Sequence, residues 1–271
     1  MHRLFKAAVP CGLIAAACAW LPAAALAQST FTHVHLRVPD TAAAAEWYHE
    51  LLGGEIRAGG PGPSVRFANG FIGTMANDGT APASRGGAID HFGIGVTDVA
   101  AVVRRAGQLG ATIDEPPQPG VTAPTVAFIV DPWGTRVELL EDDEYPGMNH
   151  VHMFVRDATE VRDWFLEVFG GEFVPERGGD RFHCILYGDL WVHISEAGEV
   201  GTAPSRGRAL DHMGFRIDST LAAFEETIEE TGHSPYLVRP NPPGPDLMFF
   251  EGPGGIHFEI AQSARPAEAA R

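Results

Sequence analysis

Cysteine is nearly missing from this sequence. There are three, and Cys11 and Cys18 both fall within the first 27 positions. Beyond them only Cys184 remains, so a chain lacking that segment has no internal disulfide. Cys184 sits in the apolar run His183-Cys184-Ile185-Leu186 and reads as core packing. Basic charge is also scarce, with 19 Lys and Arg against 35 Asp and Glu and a formal net charge of −16. Such a surface repels phosphate backbones and anionic membranes, which argues against nucleic acid or a lipid surface as partner. Long apolar runs are limited to one, from Ala7 to about Leu26, and no other could span a bilayer.

That run has its own reading. Arg3 and Lys6 precede it, and Ala25-Leu26-Ala27 and Gln28 close it. A positive start, an apolar middle and an A-x-A end are the parts of a secretory signal. The expectation is cleavage after Ala27 and a periplasmic or secreted bacterial protein, with no membrane insertion afterwards. An uncleaved anchor, or lipid attachment at Cys18, are the alternatives. Loss of Arg3 and Lys6 makes the formal charge two units more negative.

What the remainder does have is repetition. His33-Val34-His35-Leu36-Arg37-Val38-Pro39-Asp40 returns 117 positions later as His150-Val151-His152-Met153-Phe154-Val155-Arg156-Asp157. Ser84-Arg85-Gly86-Gly87-Ala88-Ile89-Asp90-His91 returns 121 positions later as Ser205-Arg206-Gly207-Arg208-Ala209-Leu210-Asp211-His212. Asp131-Pro132-Trp133-Gly134 returns at the same offset as Gly252-Pro253-Gly254-Gly255. The chain is therefore a duplication of about 120 residues, each half being two related units.

Each unit opens with an alternating strand such as Val34 to Val38. An Asp then caps a helix, Thr41 to Leu52 in unit one and Ala158 to Phe169 in unit three, and glycine ends it. About three strands follow, among them Ser64 to Phe67, Val126 to Val130, Arg181 to Tyr187 and Leu247 to Phe250. The fold class is α+β, four βαβββ modules forming two domains. The expected boundaries are a signal at 1–27, domains at 28–145 and 146–263, and a flexible tail at 264–271. Glu115 to Pro119 and Pro240 to Pro245 read as loops. Trp47 and Trp164 read as core. Units one with two and three with four is the simple pairing; one with four and two with three would regroup the same residues.

Ligand-type residues recur at matched points. His33 and His150 open units one and three, His91 and His212 open units two and four, and Glu138 and Glu259 lie in the last strands of units two and four. Two imidazoles and a carboxylate suit a divalent ion such as Fe(II), Mn, Ni or Zn, with positions left for substrate. His193 adds a further ligand or base in the second half, where the first half has Gly73, Thr74 and Met75, so the second half reads as the fuller site. His35 and His152 share a strand face with His33 and His150 and read as packing. His49, His183, His233 and His257 read as surface or structural.

The modules resemble those of the vicinal oxygen chelate superfamily, which includes glyoxalase I, fosfomycin- and bleomycin-resistance proteins and extradiol dioxygenases. The resemblance rests on the repeat and on Asp131-Pro132-Trp133-Gly134-Thr135-Arg136-Val137-Glu138, similar to that superfamily's D-P-x-G-x-x-x-E strand. It covers about residues 31 to 262. It implies that paired modules form an open cup around a metal, with His33, His91 and Glu138, and His150, His193, His212 and Glu259, at the ligand positions. It also puts Arg37 and Asn77 near positions that contact glutathione in glyoxalase I. A Glu ligand is missing around Gly73, and Phe250 takes the place of the dioxygenase Tyr. The implied function is a glyoxalase-type lyase or isomerase acting on a small substrate held through neighbouring oxygens. His150, His212 and Glu259 would hold the metal, and Glu259 or His193 would move the proton. A ring-cleaving dioxygenase and a non-catalytic binding protein of the bleomycin-resistance type are the alternatives, as a monomer or homodimer.

Overall fold

The computed structural model describes residues 29–198, 202–241, 244 and 246–263. The expected signal at 1–27 and tail at 264–271 lie outside the described residues. Among the described residues no helix is long and apolar enough to cross a membrane.

Four modules follow one another. Module one is β1 (Thr30–Val38), α1 (Thr41–Leu52), β2 (Glu55–Arg57), β3 (Ser64–Arg66) and β4 (Phe71–Ala76). Module two is β5 (Ile89–Val96), α2 (Val99–Gln108), β6 (Thr112–Gln118), β7 (Val126–Val130) and β8 (Arg136–Glu141). Module three is β9 (Gly147–Val155), α3 (Ala158–Phe169), β10 (Glu172–Phe173), the short α4 (Pro175–Gly178), β11 (His183–Tyr187) and β12 (Leu190–Glu196). Module four is β13 (Leu210–Ile217), α5 (Leu221–Glu230), β14 (Pro235–Arg239), β15 (Leu247–Glu251) and β16 (His257–Gln262). The first helix of each half starts and stops where its local chemistry dictates. Asp40 and Asp157 accept backbone N–H groups of the first turn, and Gly53 and Gly170 take positive φ at the end.

Two eight-stranded sheets result. One runs β14-β15-β16-β13-β1-β4-β3-β2 and the other β10-β11-β12-β9-β5-β8-β7-β6. The first joins modules one and four through antiparallel β1 and β13; the second joins two and three through antiparallel β5 and β9. The simple pairing within 28–145 and 146–263 therefore does not hold: each half gives one module to each sheet. Chain connectivity supplies the reason. Only residues 142–146 separate β8 from β9, which keeps modules two and three side by side, whereas the longer links 77–88 and 197–209 carry the chain to the other sheet.

Within each half, the two modules lie in different sheets but still meet through their helices. Trp47 Nε1 donates to Leu109 O and Trp164 Nε1 to Thr231 Oγ1, and both indoles are buried in the core. The Tyr48 hydroxyl donates to Asp131 Oδ2 at 2.7 Å, both groups being buried. Tyr48→Phe should cost about 1–3 kcal/mol, because it removes a donor from a buried carboxylate; denaturant titration measures it.

Strand alternation then decides the faces. Val34, Leu36 and Val38 of β1 enter the core, so His33, His35 and Arg37 lie on the opposite face. One expectation is corrected here. Glu115 to Gln118 is not loop but the end of β6, an edge strand with register shifts, where proline loses no ladder hydrogen bond.

Candidate metal centres

The faces of the two sheets turned away from the apolar core each gather one cluster of buried ligand-type side chains. The first cup holds His33 and His35 from β1, His212 from β13 and Glu259 from β16. The second holds His91 from β5, Glu138 from β8, and His150 and His152 from β9. Within each set, one ligand atom per residue lies within 4.8 Å of all the others. His193 on β12 stands beside the second set, its ring stacked on His150 at 4.4 Å.

Hydrogen bonds to the outer ring nitrogens fix which lone pairs face inward. Thr32 Oγ1 donates to Gly214 O, so it accepts from His33 Nδ1 at 2.9 Å. Asp90 Oδ1 accepts from His91 Nδ1 at 2.8 Å, and Asp211 Oδ1 from His212 Nδ1 at 2.7 Å. Asn149 spends its amide nitrogen on Asp142 and Tyr145, leaving Oδ1 to accept from His150 Nδ1 at 2.9 Å. Four imidazoles are thus held with Nε2 towards a carboxylate. Nε2 lies 3.1 Å from Glu138 for His150 and 3.2 Å for His91. It lies 3.4 Å from Glu259 for His212 and 3.7 Å for His33.

This donor set fits a divalent ion. His33 Nε2, His35 Nδ1, His150 Nε2, His193 Nε2 and His212 Nε2 are buried with no hydrogen-bond partner. Buried polar atoms are seldom left so, and imidazoles fixed by an outer acceptor are the usual form of metal ligand. Burial pushes the His33 pKa down to about 4, against the pull of Glu259, and drives His35, His152 and His193 well below the usual imidazole range. Those rings are neutral near pH 7 and have lone pairs to give. His91 and His212 move the other way: burial would lower them, but hydrogen bonds to Asp90 and Glu138, and to Asp211 and Glu259, raise them. The same carboxylates would favour a cation in place of that proton.

All seven expected residues reach a cup, but they are grouped differently. His150 does not meet His212 and Glu259; it faces Glu138 and His91 on the other sheet, because modules pair across the halves. The fuller set, with His193, is made by modules two and three rather than by the second half. His35 and His152, read as packing, lie among the ligand atoms. Their recurrence on one strand face was the signal that could have found them. His257, read as structural, is buried against Asp211.

Gly73 has a physical reason for carrying no ligand. The His35 imidazole lies against it, nearer than the 3.0 Å limit for a side chain there. The register places His35 opposite Gly73 and His152 opposite His193, so one cup has glycine where the other has histidine. Arg37 is committed to Asp211 Oδ2, and Asn77 Oδ1 accepts from Gly79 N within its own turn.

Each cup opens onto a cavity. The second, about 510 Å³, is lined by Phe128, Phe154 and Phe182 around His91, His152 and His193. The first, about 220 Å³, runs from His35 and Glu259 to Arg66, Phe71 and Arg239.

Residues 30–139 match the sequence model of the family described as Glyoxalase/Bleomycin resistance protein/Dioxygenase superfamily. A protein of Arabidopsis thaliana described as probable lactoylglutathione lyase, chloroplastic, is 29% identical over 163 residues, or 55% of this chain and 47% of that protein. The matched stretch thus spans about half the length of that relative. Glyoxalase I from Zea mays shares the fold, with a TM-score of 0.67 at 19% identity over 87% of this chain and 92% of that one. A putative dioxygenase from Bacillus subtilis gives 0.63 at 17%, over 87% and 86%. At such identities the likeness is one of fold alone.

Proposed function

We propose that this chain, whose residues 30–139 match the model of the Glyoxalase/Bleomycin resistance protein/Dioxygenase superfamily, is a metal-dependent lyase or isomerase of glyoxalase type. One observation carries the reading: in each cup, three imidazoles and one carboxylate bring ligand atoms within 4.8 Å of one another. His33, His35, His212 and Glu259 would hold one divalent ion, and His91, His150, His152 and Glu138 another. Such an ion acts as a Lewis acid on two neighbouring oxygens of a small substrate.

The chain's own residues supply the rest. In the second cup His193 is the candidate base. It lines the cavity, is buried and neutral, and presents Nε2 with no partner. It would take a proton from the carbon beside the substrate oxygens and return it to the neighbouring carbon. In the first cup, where Gly73 replaces His193, that task would fall to Glu259. Phe128, Phe154 and Phe182 line the second cavity and would keep water from a substrate's apolar side.

The test is turnover with Fe(II), Mn, Ni or Zn added singly to the metal-free chain. Lactoylglutathione, named in the relative's description, is the first compound to try. Metal-dependent turnover supports the reading; a metal-loaded chain that turns over no compound with neighbouring oxygens counts against it. The three phenylalanines also suit an aromatic substrate, which keeps ring-cleaving dioxygenase as second reading. Oxygen uptake by the iron-loaded chain with a catechol separates the two. We further propose export, from the character of residues 1–27. The mature N-terminus then reads Gln28; a retained Met1 contradicts export by cleavage.

A further inference from the structure

A second set of residues repeats behind the ligands. At the same offset of 121, Ser84, Asp90, Glu115 and Arg136 correspond to Ser205, Asp211, Tyr236 and His257. In the first cup Asp211 Oδ1 accepts from His212 Nδ1 at 2.7 Å and also from His257 Nδ1 at 2.8 Å. The other nitrogen of His257, Nε2, then accepts from the Tyr236 hydroxyl at 2.7 Å. The His257 backbone N–H donates to Ser205 Oγ at 3.0 Å, and Asp211 Oδ2 takes Gly207 N and Arg37 Nε. Both ring nitrogens of His257 are therefore spent. Asp211, His212 and His257 lie close enough to suggest a third metal group, but two of the three have no lone pair left for one.

The second cup has the same layout in different chemistry. Asp90 Oδ1 accepts from His91 Nδ1 at 2.8 Å and from an Arg136 terminal nitrogen at 3.1 Å. Arg136 continues to Glu115 Oε1 at 2.7 Å, as His257 continues to Tyr236, and its backbone N–H donates to Ser84 Oγ at 2.8 Å. Duplication alone would preserve residue types. Here the outer two types have changed, from an ion pair to a phenol and an imidazole, while the hydrogen bond onto the aspartate has stayed.

We propose that His257 and Tyr236 are positioning residues that hold the metal-facing His212 through Asp211, and that Arg136 and Glu115 hold His91 through Asp90 in the same way. The aspartate oxygen that receives the ligand imidazole is pinned by a second donor, which is itself pinned from the cup rim. Without that donor the carboxylate can turn, and the imidazole loses the partner that sets its tautomer and angle. Outer partners of metal ligands are worth about 10–100-fold in affinity. For its affinity readout the inference rests on the metal reading above.

The experiment titrates Co(II) into the full chain with the second cup disabled by Glu138→Ala. His257→Leu should weaken binding at least about tenfold. His257→Asn keeps a donor near the Nδ1 position and should stay within about threefold of the parent. A merely structural role predicts that the two variants weaken together, and that result, or no weakening in either, overturns the proposal. A metal-free readout separates failure of this inference from failure of the metal reading. Nitrogen-15 spectra of the neutral rings should show His212 as the Nδ1–H tautomer in the parent and as a mixture in His257→Leu. If the parent binds no cobalt yet shows that change, the metal reading fails and the buttress stands. If cobalt binds and neither affinity nor tautomer changes, the buttress is wrong.

Discussion

Replacing Gly214 by alanine should cost the first cup its metal ion and leave the second cup loaded; Gly93→Ala should do the reverse. In the antiparallel joins, His33 lies opposite Gly214 and His150 opposite Gly93. Each imidazole rests on its glycine, and a Cβ built there would meet ring atoms inside the 3.0 Å limit. The neighbour in the way is a ring held by a hydrogen bond at Nδ1, His33 by Thr32 and His150 by Asn149. It can yield only by leaving the cup, so one methyl group removes one ligand. Metal content of the two variants, measured beside their melting temperatures, is the check. Gly95→Ala is the control, since Gly95 faces the backbone of Tyr145 and Pro146 rather than a ligand. It should lower stability and keep both ions. If both alanine variants keep both ions at parental affinity, the rings do not ligate from where they stand.

The second large effect belongs to His193. The variant His193→Gln should keep the second-cup ion and lose about 10²–10⁴-fold in kcat on whichever substrate is found. Its ring packs between His150 and Phe182, at 4.4 and 4.9 Å, and lies outside the group whose ligand atoms all meet. The change therefore removes a base without opening the metal centre. Parental kcat with metal bound would remove His193 from the chemistry; loss of the ion with activity would make it a ligand.

Much of this was legible in the sequence, for physical reasons that differ by feature. The duplication, the capped helices and the alternating strands are local patterns, and α1 and α3 occupy the spans their caps and glycines define. Which modules share a sheet is not local. It follows from the link at 142–146 being shorter than those at 77–88 and 197–209. That is a statement about lengths, so residue types alone left both pairings open. The regrouping of His150 with Glu138 follows from it. His35 and His152 are ambiguous in the sequence because a second histidine on a strand face can equally be packing; the opposite strands, with Gly73 and His193, show what surrounds them. The orienting groups were present in plain sight: Thr32, Asp90, Asn149 and Asp211 each precede a ligand histidine. Adjacent residues of a regular strand point to opposite faces, which hides that contact from pattern reading. The register shifts beside His33, His91, His150 and His212 bring neighbours together.

The central claim is that two metal centres are each built from both halves of the chain. The most direct measurement is the divalent metal content of three single variants: His150→Ala, Glu138→Ala and Glu259→Ala. The account predicts two ions in the parent and one in each variant. It also predicts that combining His150→Ala with Glu138→Ala still leaves one, while combining His150→Ala with Glu259→Ala leaves none. If His150 and Glu259 instead empty the same site, or the parent holds no metal after reloading, the account is contradicted.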